Sequence, residues 1–397
     1  MNVINQITIK GFKSILEQTV SLGQINIFIG TNGAGKSNFL EAISMLSASS
    51  EGGIDYNKLA ARGSRLSSPE IFRTAFKNND RRKTFEIEAK LSDYVYNMKV
   101  HATRDFSYFS ETFEKNGDRI AGRSGAGATL DHKSIKKLEL NKSILSVVQN
   151  FQGLHNDIIN NLKNFAIFSP STPILRGVSE DTSHHEPLGL YGGNLAKALK
   201  HVIADKNNHE EMQRFFQLFD WFQSIGTTSS FNTEVSPEQG ILGGIVVNYK
   251  DKFMSKNFNE LYAYDVSEGA LFILFVLTLL VHNKSPNIFA LDNIDSALNP
   301  GLVRQLMKHV TEILSTHKEK QIFITTHNPS TLDSIDLFDE SHRLFVVSRS
   351  DSGQTQIKRI EPPSNMSKEE WEKKNYGLKL SEIWLSGAIG GLPKGFN

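Results

Sequence analysis

The sequence contains no cysteine in 397 residues. That excludes disulfides and cysteine-based metal sites and suits a reducing compartment. It also lacks a charge bias: the formal net charge of +1 excludes a dominant basic or acidic surface, although not a local patch. No apolar run is long enough to cross a membrane. The longest, ALFILFVLTLLV from Ala270 to Val281, has 12 residues, where a span needs about 20, so a buried core helix is expected. The opening MNVINQITIKGFKSI has no apolar signal-peptide core, which leads to the expectation of a cytoplasmic protein without a membrane partner. There is no internal repeat and no sustained heptad pattern, so extended coiled-coil arms are not expected.

What remains is a globular composition, 39% apolar and 22% charged. INQITIKGF and INIFIG read as strands, the second apolar enough to be buried on both faces. A glycine-rich turn and the helix SNFLEAISMLS follow. TFEIEAKL alternates, with Phe85, Ile87, Ala89 and Leu91 on one face. YNMKVHA and FSYFSETFEKNGD continue as antiparallel strands, the last ending in an Asn116-Gly117 turn.

From about Ser134 the periodicity turns helical. HNDIINNLKNFAIF places Ile158, Ile159, Leu162 and Phe165 on one face. Pro170 and Pro173 break it, and NLAKALKHVIA and EEMQRFFQLFDWFQSI read as further helices. A strand is expected in GILGGIVVNYKD, and two more around the Ser-Gly turn of HRLFVVSRSDSGQTQIKRIEPP. A helix with a Ser367/Glu370 capping box opens SKEEWEKK.

GTNGAGKS, Gly30 to Ser37, fits the phosphate-loop pattern G-x-x-x-x-G-K-[ST] between an apolar strand and a helix. Its glycines let the backbone curl so that N–H groups face phosphate oxygens, and the helix N-terminus adds partial positive charge. Gly30, Asn32, Gly33, Ala34, Gly35, Lys36, Ser37 and Asn38 are therefore expected to bind ATP. Lys36 would neutralise the terminal phosphates, and Ser37 would offer a hydroxyl to Mg2+. Asp292 ends the apolar strand NIFALD, at the sheet edge where ligands sit, and is expected as the second magnesium ligand.

Three later stretches narrow the class. YDVSEGALFILF puts Ser267, Glu268 and Gly269 at a helix start, where free N–H groups can bind a phosphate. ALNP runs from Ala297 to Pro300. ITTHNP places His327 at the end of another strand.

Taken in order, IKGFKSI, GTNGAGKS, VSEGA, FALDN, ALNP and TTHNP resemble the ABC-type ATPase heads of the RecF, structural-maintenance-of-chromosomes and overcoming-lysogenization groups. The resemblance runs from Asn2 to about Asp333. It implies an α/β fold: an ABC-type P-loop ATPase head with a mixed central sheet, an antiparallel β lobe and a helical insertion. The expected division is 1–130 for the N-terminal lobe, 131–240 for the insertion and 241–397 for the C-terminal lobe and tail. It also implies a homodimer sandwiching two ATP molecules, each touching one copy's phosphate loop and the other copy's Ser267 and Gly269. His327 becomes a γ-phosphate sensor. The long stretch between Ser37 and Ser267 and the GFKSI opening separate this chain from transporter heads. The glutamine loop is not placed; Gln149 and Gln152 are candidates.

One position departs from the family pattern. Asn293 stands where such heads carry a glutamate, and an amide cannot accept a proton from water. Slow hydrolysis and a long-lived ATP-bound dimer are one expectation. The other moves the base to Asp295, provided that the chain curls after the strand. The residues after His327 are too few for a Toprim nuclease unit, so a nuclease or other effector is expected as a separate partner. The ATPase subunit of Septu-type antiphage defence is one resemblance; a RecF-like repair ATPase that binds DNA is the alternative. NNDRRK around Arg81 and HKSIKK around Lys136 could contact DNA, His184 to Glu186 a metal, and the tail with Trp384 and Phe396 a partner.

Overall fold

The computed structural model describes residues 3–77, 82–135, 137–150, 155–183, 185–229 and 244–392. Its centre is a six-stranded sheet in the order Ile167–Phe168, Ile288–Leu291, Gln321–Thr325, Ile25–Ile29, His342–Arg349, Thr355–Ile360. All neighbours are parallel except the last pair, an antiparallel hairpin. Three of the four inner strands, Ile288–Leu291, Gln321–Thr325 and Ile25–Ile29, are buried at every residue, as their apolar runs require of a sheet covered on both faces.

Side-chain alternation along these strands feeds two cores. Ile25, Ile27, Ile29, Phe289, Leu291, Ile322 and Ile324 point to one side. There they meet the helices Leu195–Ala204, Glu268–Val281 and Pro300–Thr316. Phe28, Ile288, Ala290 and Phe323 point to the other. The helix that follows the phosphate loop, Lys36–Ser50, lies on this second side and is buried at all but two positions. Its far face is covered by an eight-stranded antiparallel sheet, which explains why serines and one glutamate on it are inside. That sheet runs in the order Ile15–Ser21, Ile4–Phe12, Thr84–Leu91, Tyr94–Ala102, Phe106–Lys115, Asp118–Ser124, Gly127–Leu130, Lys133–Ile135. Phe85, Ile87, Ala89 and Leu91 face the core, following the alternation in the sequence.

The helix Glu268–Val281 is buried at every residue after Glu268. No helix among the described residues is long and apolar enough to cross a membrane. The capping box at Ser367 and Glu370 is present.

Several local expectations are corrected. Ile15–Ser21 is a strand that sequence reading did not single out. The helix expected through Phe165 ends at Lys163, and Phe165 is buried beyond it. The helix expected through Ile225 ends at Phe216. Phe222–Thr228 is instead a strand pairing with Val246–Asp251, because the β-favouring end FQSIGTT wins once a partner is available. For Trp384, read as either a docking residue or a core residue, the structure gives the second: it is only 4% exposed and packs into the first core. Asn2, Arg81, Lys136, Gln152, His184 and Phe396 lie outside the described residues.

Candidate nucleotide site

Strand Ile25–Ile29 delivers the phosphate loop at its carboxyl end. Gly30 has φ +142°, and a Cβ there would sit 2.1 Å from the Val347 carbonyl oxygen; Gly35 has φ +118°, and a Cβ there would sit 2.2 Å from the Thr355 hydroxyl. Both positions therefore require glycine, on grounds of backbone conformation and of space. The helix begins at Lys36 without a side-chain cap, which leaves first-turn N–H groups for a ligand.

Lys36 folds back over the loop. Its Nζ donates to the carbonyl oxygens of Gly30 at 2.8 Å and Thr31 at 3.2 Å. Burial pushes its pKa down to about 8, opposed by the carboxylates of Asp292 and Asp295. A nucleotide would bring the negative charge that this half-compensated ammonium lacks.

Asn32, Gly33, Ala34, Gly35, Lys36, Ser37 and Asn38 line one cavity of about 220 Å³ together with Asp292, Asn293 and His327. Groups nearly three hundred residues apart meet because three parallel strands end side by side. Asp292 Oδ1 accepts the Thr325 hydroxyl, and Thr325 Oγ1 in turn accepts the Asn293 N–H at 2.9 Å. This threonine fixes the carboxylate's direction. Ser37 and Asp292 are hard oxygen donors, the set that suits Mg2+. His327 stands just past the end of the strand Gln321–Thr325, its ring partly buried and partly open to solvent. Burial of its ring holds its pKa below the usual value, helped by the Lys36 charge and opposed by Asp295 and Asp292.

Asn293 is exposed and adopts φ +56°, a left-handed conformation that asparagine tolerates better than most residues. The chain then curls, as the Asp295 expectation required. The Ser296 N–H donates to Asn293 O at 3.1 Å and the Leu298 N–H to Asp295 O at 3.2 Å. The Asp295 carboxylate is not among the groups that line the cavity, and its Oδ1 is buried with no hydrogen-bond partner.

Ser267 and Gly269 are not brought to this cavity. Ser267 caps the helix Glu268–Val281, its hydroxyl accepting from the Ala270 N–H at 3.3 Å. Glu268 accepts from the Thr172 hydroxyl. A Cβ on Gly269 would lie 3.1 Å from Leu298 Cδ2 and 3.3 Å from the Ala297 carbonyl oxygen, so the Ser267–Gly269 turn rests on the ALNP loop. Gln149, half-buried on the helix Ile144–Asn150, does not line the cavity either.

Two cavity residues carry no sequence motif: Arg65 and Arg349. Arg65 reaches Asn38 Oδ1 at 2.5 Å and the buried Glu41 at 2.6 Å. Glu41 also accepts from Lys13 of the GFKSI turn, so a buried carboxylate ties that turn and Arg65 to the loop helix. The only signal available was an arginine after a glycine turn, which is too common to single out.

The family model described as AAA ATPase domain matches residues 3–239. A second, described as AAA domain, putative AbiEii toxin, Type IV TA system, matches residues 176–333. No curated protein matches the chain. Among solved structures, an SMC head bound to the C-winged helix domain of ScpA is 16% identical with a TM-score of 0.53, covering 90% of this chain and 97% of that one. An SMC head with an extended coiled coil, bound to the C-terminal domain of ScpA derived from Pyrococcus furiosus, is 14% identical with a TM-score of 0.51, covering 91% and 97%. An SMC head domain from Thermotoga maritima is 15% identical with a TM-score of 0.48, covering 90% and 99%. The two ScpA-bound heads show that this chain has the fold of an ABC-type ATPase head.

Proposed function

From the premise that this chain belongs to the AAA ATPase domain family, we propose that it is a slow, ATP-dimerised regulatory ATPase controlling a partner effector in a prokaryotic defence system. The observation that carries the nucleotide part is the single cavity shared by Lys36, Ser37, Asp292, Asn293 and His327. One face of a nucleotide there would meet this chain. The other would meet Ser267 and Gly269 of a second copy, since within one chain these stand away from the cavity.

In the proposed reaction Lys36 neutralises the β- and γ-phosphates, and Asp292, steered by Thr325, would hold the metal with Ser37. Magnesium, when bound, offsets the charge that develops on the phosphate oxygens. His327 faces the γ-phosphate, able to donate to it from a ring nitrogen. Asn293 orients water but takes no proton from it. A slow chemical step keeps the dimer closed, which suits a timer that licenses or restrains a second protein. The description of the second family model, a putative toxin of a type IV toxin–antitoxin system, supports the conflict setting. The ScpA-bound SMC heads support the idea that such a head presents a face to a partner protein.

A second reading is favoured by one specific feature, the unpartnered buried oxygen of Asp295: this carboxylate sustains the residual turnover. Two variants separate the readings. Asn293→Glu should raise turnover at least tenfold if the missing glutamate is limiting. Asp295→Asn should abolish the residual rate if Asp295 serves the site. An N293E enzyme no faster than the parent, with turnover lost in D295N, would reject the timer mechanism in favour of Asp295. Sedimentation with ATP and with ADP tests the dimer. Copurification from the native operon with and without ATP tests the partner.

A further inference from the structure

The hairpin at the edge of the central sheet, His342–Arg349 and Thr355–Ile360, reaches the phosphate loop from outside. Arg349 Nε donates to the Gly33 carbonyl oxygen at 2.9 Å, and its Nη1 donates to Gly353 O within the hairpin turn. Thr355, 1% exposed, donates its hydroxyl to the Ala34 carbonyl oxygen at 2.8 Å. Its Oγ1 also lies 2.7 Å from Ser14 Oγ, which accepts from Asn38 Nδ2 at 2.6 Å. The hairpin therefore grips two consecutive carbonyls of the loop and one residue of its helix.

In a trans peptide the carbonyl of one residue and the N–H of the next point in opposite directions. Pinning the Gly33 and Ala34 carbonyls outward fixes the N–H groups of Ala34 and Gly35 inward. The Ala34 N–H now donates across the loop to Thr31 O at 3.2 Å, the same carbonyl that Lys36 contacts. A phosphate oxygen could replace that acceptor without turning the peptide.

We propose that Arg349 and Thr355 are positioning residues of the phosphate cradle, holding its N–H groups ready for the β-phosphate of a nucleotide. This rests on the nucleotide reading of the cavity. The hairpin acts on the bound ground state, so its loss weakens ATP and ADP alike and leaves the chemical step intact.

The test compares Arg349→Ala, Arg349→Lys and Thr355→Val with the parent, measuring ATP and ADP dissociation constants, single-turnover hydrolysis at saturating ATP, and melting temperature. R349A and T355V should weaken ATP and ADP by the same factor, tenfold or more, with the saturated rate within threefold. R349K, which can still donate to Gly33 O, should recover part of the loss. Arg349 is exposed, so R349A folds even if T355V does not. Affinities within twofold of the parent in R349A, or a loss of rate with affinity unchanged, would overturn the proposal. Lys36→Ala is the control for the parent reading: unchanged ATP binding in K36A rejects the site itself, whereas K36A inactive and R349A unaffected rejects the hairpin role alone.

Discussion

Two of the places where the molecule buries charge are treated differently. In the antiparallel lobe Glu111 is fully buried. Its Oε1 accepts from Tyr96 Oη at 2.8 Å and Ser143 Oγ at 2.7 Å, and the Ile144 N–H donates to its carboxylate at 3.1 Å. Arg123 lies 3.3 Å away and spends two other donors on the Glu139 and Lys142 carbonyls. Burial raises the carboxyl's pKa and Arg123 pulls it back. At the nucleotide cavity, by contrast, Lys36 has only carbonyls, Asp295 has a buried oxygen with no partner, and no residue balances the two fully. A network whose carboxylate is saturated holds a lobe together, even with Arg123 Nε paired to it by charge alone and left without a hydrogen bond. An unsaturated one stores an electrostatic demand that a ligand can meet.

The largest expected effect breaks the saturated side. Glu111→Ala strands Arg123 and three donors in the interior and should cost about 3–5 kcal/mol of stability, read as a urea midpoint shift. Nucleotide affinity of the folded fraction should not change. A loss under 1 kcal/mol would mean that water replaces the carboxylate and that the lobe does not depend on it.

Next in size is a pH effect. Burial pushes the His185 imidazole down from 6.5 to about 4, with Arg62 adding to it; its ring leans on Phe168 at 5.4 Å. A base with a lowered folded pKa is stabilising while neutral. Its contribution is whole above pH 6.5 and is lost as pH falls to about 4, a span of about 3 kcal/mol. Urea midpoints between pH 7 and pH 4.5 measure it. His185→Phe keeps a ring beside Phe168 and should flatten that part of the profile; an unchanged slope would assign it to other groups.

The unsaturated side responds in binding. Lys36→Ala should reduce ATP affinity roughly 100-fold, about 2–3 kcal/mol for charge-assisted contacts, with little change in melting temperature. A large loss of stability instead would place Lys36 among the structural charges, with Glu111.

The glycine-rich loop, the two strands that lead to Asp292 and His327 and the helix Glu268–Val281 were all legible in the sequence. Each combines a long apolar run with a short chemical motif, and such patterns survive any tertiary context. Arg65, Arg349 and Thr355 were not legible. An isolated arginine or threonine acquires meaning only when strand order brings it to the loop, and order is set by packing. The strand at Phe222–Thr228 escaped for a related reason: WFQSI continues a helical period by chance, and only pairing with Val246–Asp251 decides it.

The smallest expected effect on the fold carries the sharpest distinction. Ser267 donates nothing to its own chain's cavity; within one chain its hydroxyl only accepts from the Ala270 N–H. Ser267→Ala should therefore cost about 1 kcal/mol, the ordinary loss of a helix cap, and leave monomer affinity for ATP unchanged. If a second copy uses this turn to close over the γ-phosphate, the same variant should abolish ATP-dependent dimers in sedimentation. Gly269→Ala sharpens the point, because a methyl there would press on Leu298 and the Ala297 carbonyl and disturb both the Ser267–Gly269 turn and the ALNP loop. A Ser267→Ala protein that binds ATP and still dimerises with it would confine this serine to the helix it caps, and the second half of the site would have to be sought on another face.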